Sequence, residues 1–329
     1  MKQISLKHLN YLTDDFGIWQ HTKGKKIDKN RGYALDDSAR ALLVALKYND
    51  LEKVRIYINF LKTAISKERI VNFFSKEKKP LPIDGSEDAI GEAYWALAEA
   101  FSRGFYYKEV SELLAILTPK IYEMKSVRGR AYSLLGAINI DQRLAKTLTK
   151  SLLNQFNQNA DAEWPWLESE LTYANAIVPL ALMSAFEIVG KQSQQTGLLM
   201  LNFLNKVCEH NSVPIVIGSI GWHKKGSKKA LFDQQPIDAT YMVLANVKAW
   251  EQTGQKNYLL QAKKFVSWFW GNNILGLSLI DLEDESCQDG IAKVGLNTNR
   301  GAENIVCYLL AQETMSRHLV LSKKKINYT

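Results

Sequence analysis

Acidic, amide and aromatic side chains recur together in this 329-residue chain, each time just before a stretch with apolar residues at helical spacing. Sugar rings stack their apolar faces on flat aromatic side chains, while their hydroxyl groups hydrogen-bond to carboxylates and amides. Two carboxyl groups can also cleave a glycosidic bond, one as the acid and one as the base that activates water. The candidate catalytic residues are Asp37, Glu168, Asp233 and Glu303. The candidate substrate-binding residues are Trp19, Gln20, His21, Tyr33, Asp36, Asp88, Trp164, Trp166, Tyr173, Asn175, Trp222, Gln234, Gln235, Asn299 and Arg300.

Most of these acids also have a simple structural explanation, because each stands at a predicted helix start. Short polar side chains cap helix N-termini, and acids in the first turn interact favourably with the helix dipole. The residues that this alternative explains are Asp36 or Asp37 as a cap with Arg40 as an ion-pair partner one turn on, Asp88 beside a Ser86 capping box, Asp233 as an N-cap, and Glu303 as a first-turn acid. Both interpretations stay open for these positions.

Two other clusters are harder to explain by capping. Trp164 and Trp166 share a loop with several acids, which is typical of a saccharide site, although tryptophans that plug the end of a barrel would give the same pattern. Gln234 and Gln235 precede Pro236 at a helix start and are not needed as caps. We therefore favour a binding role for both clusters.

Helical periodicity dominates the chain and predicts about twelve helices in six pairs. Short turns inside each pair make the two helices antiparallel. A solenoid should show a fixed sequence period, and none is present. An N-terminal helix without a sequence partner could pack on the last helix and close a ring, so we predict an all-α (α/α)6 toroid formed by one domain over residues 1–329. The predicted helices are 5–12, 34–48, 51–65, 89–101, 109–121, 130–140, 142–156, 173–189, 194–209, 237–252, 257–270 and 302–317.

Five long segments separate the helix pairs and carry most of the unusual residues. In a toroid they all arrive at the end where the inner helices begin, so function is expected on that face. Residues 213–217 are β-prone and precede a turn-prone stretch at 218–221, which allows a short hairpin there, and residues 275–281 are a second strand candidate. The five segments are 13–33, 66–88, 157–172, 211–236 and 271–300.

Composition excludes several other classes of protein. The net charge of +8 comes from scattered lysines, without the basic stripe or module of a nucleic-acid-binding protein. Three distant cysteines suggest free thiols in a reducing compartment, and the chain has no apolar leader or membrane-length stretch, so a cytoplasmic location is expected. The five histidines lack metal-ligand spacing, and phosphate-binding and dinucleotide fingerprints are missing, so we expect no metal and no cofactor.

Seven motifs that span nearly the whole chain resemble the six-hairpin glycosidase-like superfamily. More narrowly, the chain is similar to a bacterial group found alone or joined to glycosyltransferase domains, often beside mannoside-processing enzymes. The resemblance implies the toroid fold, a carbohydrate ligand and an association with a glycosyltransferase. Ala174 and Glu92 depart from the residues that the group often has, Asp and Arg respectively. The motifs are F-G-I-W-Q-H (16–21), G-Y-A-L-D-D-S-A-R-A (32–41), S-E-D-A-I-G-E-A-Y-W-A-L (86–97), W-P-W-L-E (164–168), L-T-Y-A-N-A (171–176), F-D-Q-Q-P-I-D-A (232–239) and N-T-N-R-G-A-E-N (297–304).

Three functions are compatible with these residues. The leading hypothesis is hydrolysis of a small oligosaccharide, with mannosides as one option, by two of the four candidate carboxyl groups. The resemblance implies an inverting mechanism, which needs the carboxyl groups about 6.5–9.5 Å apart. A sugar epimerase or isomerase would instead use His21 or His223 as acid and base. The third hypothesis is a non-catalytic saccharide-binding partner of a glycosyltransferase.

Overall fold

The computed structural model describes the backbone of residues 4–326 and the side chains of residues 4–317. Residues 1–3 and 327–329, the two ends of the domain expected over 1–329, lie outside the described residues. The helices of the described part, in chain order, are α1 Lys7–Leu12, α2 Leu35–Tyr48, α3 Leu51–Ala64, α4 Glu87–Ser102, α5 Tyr107–Tyr122, α6 Val127–Ile140, α7 Gln142–Asn159, α8 Ile177–Ser184, α9 Phe186–Val189, α10 Lys191–Val207, α11 Pro236–Thr253, α12 Lys256–Phe269 and α13 Ala302–Ile326.

Six of these helices form a closed inner ring. In order around it, α2 packs on α4, α4 on α6, α6 on α8, α8 on α11, α11 on α13, and α13 packs back on α2. The outer helices α3, α5, α7, α10 and α12 each pack on the inner helix that precedes them in sequence, and α1 packs on α13. The structure is therefore an (α/α)6 toroid, and the predicted fold class is confirmed.

The two rings differ in how their helices are buried. Outer helix α7 buries a single face, with Leu144, Leu148 and Leu152 at spacings of four, as expected of an amphipathic surface helix. Inner helix α8 is buried along its whole length from Ile177 to Met183, because it contacts neighbours on every side. All three cysteines are buried free thiols, as predicted.

The N-terminal segment closes the ring in the way the sequence suggested. Ile4 donates its backbone N–H to Gln312 Oε1 at 2.8 Å, and Gln312 Nε2 donates back to the Ile4 carbonyl oxygen at 2.8 Å. The side chain of His8, on α1, bonds the backbone oxygen of Arg300, just before α13. The first and last helices are thus joined by hydrogen bonds as well as by packing.

The loops that precede the inner helices all lie at one end of the ring, which we call the mouth. They are residues 13–34, 65–86, 123–126, 160–176, 208–235 and 270–301. Hydrogen bonds link neighbouring loops, either directly or through the first turn of an inner helix, so the rim of the mouth is continuous. The links around the rim join Tyr33 with Phe74, Lys125 with Glu87, Arg128 with Tyr173, Leu171 with His223, Gln234 with Ile291, and Ala302 with Gln20.

The strands are short and all belong to this rim or to neighbouring turns. They pair as six two-stranded antiparallel ribbons: β1 with β2, β3 with β4, β5 with β8, β6 with β7, β9 with β10, and β11 with β12. A 3-10 turn at Lys29–Arg31 precedes β3. The strands are β1 Thr22–Lys23, β2 Lys26–Ile27, β3 Tyr33–Ala34, β4 Phe73–Phe74, β5 Glu170–Leu171, β6 Glu209–His210, β7 Val213–Pro214, β8 His223–Lys224, β9 Ile280–Asp281, β10 Ser286–Cys287, β11 Gly290–Ala292 and β12 Gly295–Asn297.

The hairpin expected near residues 213–221 is present, but its turn lies earlier in the chain than predicted. It joins β6 to β7 through Asn211 and Ser212, whose φ angles of 50° and 64° are both left-handed. Two such residues in succession make the tight turn that suits antiparallel strands. The second strand candidate, residues 275–281, is a strand only at its end, in β9.

The helix predicted over residues 173–189 is wrong at its start and is interrupted. The Asn175 side chain accepts from the Thr172 N–H and donates to the Thr172 oxygen, while Ala174 has a left-handed φ of 48°. These local bonds compete with helix formation, so α8 begins only at Ile177. The segment then divides at Ala185 into α8 and α9. Tyr173 therefore lies in the mouth and not on an inner helix.

Helices α4 and α6 approach each other closely because glycines face across their interface. A Cβ built on Gly91 would lie 2.5 Å from the Gly129 oxygen, and one on Gly129 would lie 2.7 Å from the Glu87 oxygen. Real Cβ atoms do not approach a backbone oxygen this closely, so a larger residue at either position forces the two helices apart.

Gly91→Ala is expected to lower the free energy of unfolding by about 1–3 kcal/mol, the usual cost of overpacking. Urea unfolding followed by circular dichroism measures it. The matched control is Glu112→Ala on the exposed face of α5, which should change stability by no more than about 0.5 kcal/mol. Equal stability of the two variants would contradict the close approach.

Candidate functional site

The guanidinium of Arg40 lies at the mouth and is shared by carboxyl groups of three inner helices. Its Nη1 donates to both Glu92 oxygens, at 2.8 and 3.0 Å. Its Nη2 donates to Asp37 Oδ1 at 3.0 Å and to Glu303 Oε2 at 3.2 Å, and Asp36 Oδ2 lies 3.8 Å away. The ring brings these groups together, because α13, α2 and α4 are consecutive in it and all start at the mouth.

The acids around Arg40 differ in their access to solvent. The side chains of Asp36 and Glu303 are 35% and 31% exposed, whereas those of Asp37 and Glu92 are 7% and 3% exposed. A ligand in the mouth can therefore reach Asp36 and Glu303, while Asp37 and Glu92 are committed to holding the arginine.

Burial raises the pKa values of three of these acids, Asp37, Glu92 and Glu303. It raises the pKa of Asp37 well above its usual value, with Asp36 adding to the effect and Arg40 opposing it. Burial raises the pKa of Glu92 to about 8, again against the effect of Arg40. Burial also raises the pKa of Glu303, Arg40 lowers it, and the charges of Asp36 and Asp289 raise it further. Several carboxyl groups here can thus hold a proton at a pH where an ordinary carboxyl group is ionised.

A second arginine, Arg128, lies on α6, which is separated from α2 by α4 in the inner ring and faces α13 across the centre. Arg128 Nη1 lies 3.1 Å from Glu168 Oε2, and its Nη2 donates to Asn175 Oδ1 at 3.1 Å. The guanidinium also lies 4.8 Å from the centre of the Tyr173 ring, and the Tyr173 hydroxyl donates to Asp88 Oδ2 at 2.6 Å. Four of the predicted site residues therefore lie around one buried arginine.

An aromatic surface stands beside this second group. The rings of Tyr173 and Trp222 have centroids 6.2 Å apart and an interplanar angle of 47°. Tyr173 is 39% exposed, and Trp222 is held in a left-handed conformation with φ 52°. A bulky residue in this conformation is uncommon and is found where the surrounding structure fixes it. The two rings can stack on a sugar that enters the mouth.

A third group lies on the rim between α13 and the first loop. Asn299 Nδ2 is 2.9 Å from His21 Nδ1, and the Asp289 carboxylate accepts from Asn297 at 2.6 Å. Burial raises the pKa of Asp289, which Asn304, His21 and Asn299 lower. Both Asp289 and Asp36 act on the pKa of Glu303, so the third group borders the first.

The structure does not bring the two tryptophans of the fourth rim loop into the mouth. Trp164 and Trp166 are 4% and 0% exposed. Trp164 donates its indole N–H to the Glu168 backbone oxygen and packs on Phe203 and His223, on the outer side of the ring. The packing alternative explains them, since sugar stacking needs an exposed ring face. Trp164 acts on the site only by holding the Glu168 backbone.

Other predicted binding residues are also structural. Tyr33 is fully buried and Trp19 nearly so, with ring centroids 4.2 Å apart. Gln234 is fully buried, and its Oε1 accepts from Val216 N and Trp268 Nε1. These side chains have protein partners in place of a ligand.

The remaining candidates are Arg300, which has protein partners, and three half-buried residues of the rim. Arg300 Nη1 forms ion pairs with Asp281 and Asp284 within its own loop. Gln20, Asp233 and Gln235 are half-buried on the rim. The cap expected at Asp233 is wrong, since the N-cap of α11 is Gln235 and it makes no side-chain cap bond.

Four polar residues of the site were not among the sequence candidates as ligand-contacting groups. The sequence indicates Arg40 only as an ion-pair partner within its own helix, and Glu92 only as a departure from a motif. Arg128 has no distinguishing sequence neighbours. Asp238, in the first turn of α11, is 4% exposed, its Oδ2 has no hydrogen-bond partner among the residues that the structure describes, and burial raises its pKa to about 8. Its position in the first turn was the one available signal, and that signal also fits an ordinary first-turn acid.

Two other kinds of feature are absent from the described part of the chain. No group of three or more potential metal-ligating His, Cys, Asp or Glu side chains is found within residues 4–317. None of the helices in the described part combines the length and the apolar character needed to cross a membrane.

Comparison with known proteins gives a match by structure only. No family model matches the chain, and no curated protein matches it by sequence. A sugar epimerase from a ruminal bacterium superposes with a TM-score of 0.75 at 12% identity over 95% of each chain. Cellobiose 2-epimerase from Bacillus thermoamylovorans gives 0.72 at 11% identity, over 94% of this chain and 95% of that one. The cellulase Cel9M of C. cellulolyticum gives 0.56 at 10% identity, over 92% and 88%.

These neighbours are carbohydrate-active enzymes of two reaction types, and they share the fold of the six-hairpin glycosidase-like superfamily. The superfamily resemblance of the sequence motifs is thereby confirmed for the fold. At these identities the likeness extends no further than the fold.

Arg40→Met is expected to lower the free energy of unfolding by about 3–5 kcal/mol, because it leaves buried carboxyl groups without their countercharge. Chemical unfolding at neutral pH measures the change. Arg317→Met is the control: that side chain is 49% exposed and, among the described side chains, pairs with Glu313 on its own helix, so its removal should cost less than about 1 kcal/mol. A loss at Arg40 no greater than at Arg317 would contradict the shared ion-pair cluster.

Proposed function

We propose that the chain is a glycoside hydrolase that cleaves a small oligosaccharide bound in the mouth. The observation that carries the proposal is a pair of partly exposed carboxyl groups, each held by a buried arginine, on opposite sides of the inner ring. Glu303 contacts Arg40 on one side, and Glu168 contacts Arg128 on the other. Their side chains are 31% and 27% exposed, so both are open to a ligand.

Glu168 is a better candidate than Asp37 for the second carboxyl group of the catalytic pair with Glu303. The Asp37 and Glu303 oxygens both contact the same Nη2 atom, at 3.0 and 3.2 Å. Their separation cannot exceed these two distances laid end to end, which is below the roughly 6.5 Å that an inverting pair needs to admit water. Asp37 is also almost fully buried. Its proposed role is to position Arg40.

In the proposed reaction Glu303 is the general acid and Glu168 the general base. Glu303 donates its proton to the glycosidic oxygen as the bond to the anomeric carbon breaks. Glu168 accepts a proton from a water molecule, whose oxygen attacks the anomeric carbon from the opposite face. The raised pKa of Glu303 supports the acid role, and the ion pair with Arg128 would hold the Glu168 carboxyl group in place as the base. The Tyr173–Trp222 surface would stack on a further sugar ring beside Glu168.

The second candidate function is a sugar epimerase, and two observations favour it. The half-buried His21 stands on the rim near Asp289, within the third group described above. The epimerases also superpose with higher TM-scores than the cellulase does. Of the two histidines considered for this chemistry, only His21 is compatible with it, since His223 packs against Trp164 on the outer side. A saccharide-binding module without turnover is the remaining alternative.

The rest of the proposal concerns the whole protein. We propose that residues 1–329 act as one toroid domain in the cytoplasm, without a cofactor. A functional association with a glycosyltransferase is proposed from the motif resemblance alone. Co-purification with a glycosyltransferase encoded nearby would test it.

The reaction type is tested by isotope incorporation with manno- and gluco-oligosaccharides. We expect shortened products and, in water enriched in oxygen-18, one label at the new anomeric centre. Epimerisation would give products of unchanged length that carry deuterium at the carbon next to the carbonyl when the reaction runs in heavy water. Mass spectrometry and proton NMR distinguish the two. Binding without either label would contradict both enzymatic proposals.

Amide variants identify the acids in the same assay. Glu303→Gln and Glu168→Gln should each lower kcat by about 100-fold or more, the usual contribution of a general acid or base. Glu170→Gln, in the same loop as Glu168, is the matched control and should retain activity. Full activity of either of the first two variants would remove that residue from the mechanism.

The pH dependence provides a further prediction. The protonated form of Glu303 is the active one, so kcat/KM falls as pH rises through its pKa, and the charge of Asp36 raises that pKa. Asp36→Asn removes this charge and should move the alkaline limb to lower pH, by about half a unit for a weakly screened pair. Asp15→Asn, on a remote and 85% exposed side chain, should leave the limb in place. An alkaline limb that stays in place in an active Asp36→Asn variant would contradict the assignment.

A further inference from the structure

The imidazole of His21 is held by a single amide on the rim of the mouth. Asn299 Nδ2 lies 2.9 Å from His21 Nδ1. An amide nitrogen can only donate a hydrogen bond, so Nδ1 must accept it. In the neutral ring the proton is then on Nε2, which has no hydrogen-bond partner within the described residues and belongs to a half-buried side chain.

The other end of the same amide fixes its orientation. Asn299 Oδ1 accepts from the backbone N–H of Thr22 at 2.9 Å. A flipped amide would set its NH2 group against that N–H, and two donors would face each other. Thr22 is itself fixed, because its buried hydroxyl accepts from Arg300 N at 2.7 Å and donates to the Gly24 oxygen at 2.8 Å. The backbone of two rim loops therefore determines which nitrogen of His21 carries the proton.

We infer that Asn299 is a positioning residue that keeps His21 in the Nε2–H form, so that His21 donates a hydrogen bond to a substrate oxygen and does not act as a general base. The inference rests on the proposed function in that it takes the mouth to be the sugar site. A neutral imidazole in this form polarises a hydroxyl or carbonyl oxygen, as a neutral histidine does in other enzymes that process sugars. It cannot remove a proton from carbon, because its one basic nitrogen already accepts from Asn299.

This tautomer restricts the role that His21 can have in either proposed reaction, hydrolysis or epimerisation. In a hydrolase, His21 would orient the sugar through a hydroxyl group while the carboxyl groups act as acid and base. In an epimerase, the base would have to be a carboxylate, and Asp289 is the one beside His21. The single histidine acid/base group first considered for epimerisation is therefore replaced by a histidine donor and a carboxylate base.

The tautomer can be measured directly with protein labelled with nitrogen-15 in its histidines. Long-range proton–nitrogen correlation at about pH 8.5, where ordinary imidazoles are neutral, distinguishes the protonated nitrogen from the bare one. The His21 signals are identified by their loss in His21→Gln. We expect a protonated Nε2 in the wild type and a protonated Nδ1 in Asn299→Asp, since the new carboxylate can only accept. His8 is an internal reference, because its Nε2 lies 2.8 Å from the Arg300 carbonyl oxygen and must carry the proton.

Two controls separate this effect from a general disturbance. Asn272→Asp adds the same charge at an exposed position of the same loop and should leave the His21 signals unchanged. Asn299→Leu removes the donor without adding a charge and should give a mixture of both tautomers. A wild-type His21 protonated on Nδ1, or a folded Asn299→Asp variant with the wild-type tautomer, would overturn the inference. Because no turnover is needed, the outcome is independent of whether the chain hydrolyses, epimerises or only binds sugars.

Discussion

The mouth of the toroid depends on one guanidinium group. Arg40 has five N–H donors in a single plane, and this geometry lets it bind carboxyl groups from α4, α2 and α13 at the same time. A lysine could supply the charge but not the planar arrangement. The cluster also joins the two ends of the ring, since α13 and α2 are its last and first members. Closure of the ring and formation of the site are therefore the same structural event.

The architecture was predictable because it follows from local periodicity. Apolar residues at helical spacing predicted the inner and outer helices, with errors mainly at their ends. Ring closure followed from an unpaired helix at each terminus, and Gln312 and Ile4 now show how that contact is made. The failure at residues 173–176 has a local cause: the Asn175 side chain satisfies Thr172 and so replaces the first helical turn. The apolar residues around Asn175 follow helical spacing, and this spacing alone does not reveal the competing turn.

The composition of the site was less predictable, because its contacts join residues far apart in sequence. Arg40 meets Glu92 and Glu303 across 52 and 263 positions, so no local motif marks the three as a unit. The predicted sugar-binding role of Trp164 and Trp166 does not fit their buried positions, for the opposite reason. Their local context matched a saccharide site, and only the position of the outer helix α10 shows that Phe203 covers one of them. Residue type and spacing identified the loops correctly, but not which side chains point into the mouth.

The ambiguity between capping and chemistry is resolved in part by how the helices begin. The N-cap residues of α2 and α11 are Ala34 and Gln235, and neither makes a side-chain cap bond. Asp37, Asp238 and Glu303 stand in the first turns of their helices, where the dipoles of the converging helices favour the anion and burial favours the proton. For all three acids the effect of burial is larger than that of the helix dipole, since each has a raised pKa. Of these, only Glu303 has about a third of its side chain exposed, so it alone combines a raised pKa with access to a ligand. The same convergence of helix starts that makes these acids look like ordinary first-turn residues is thus consistent with the proton-donor role proposed for Glu303.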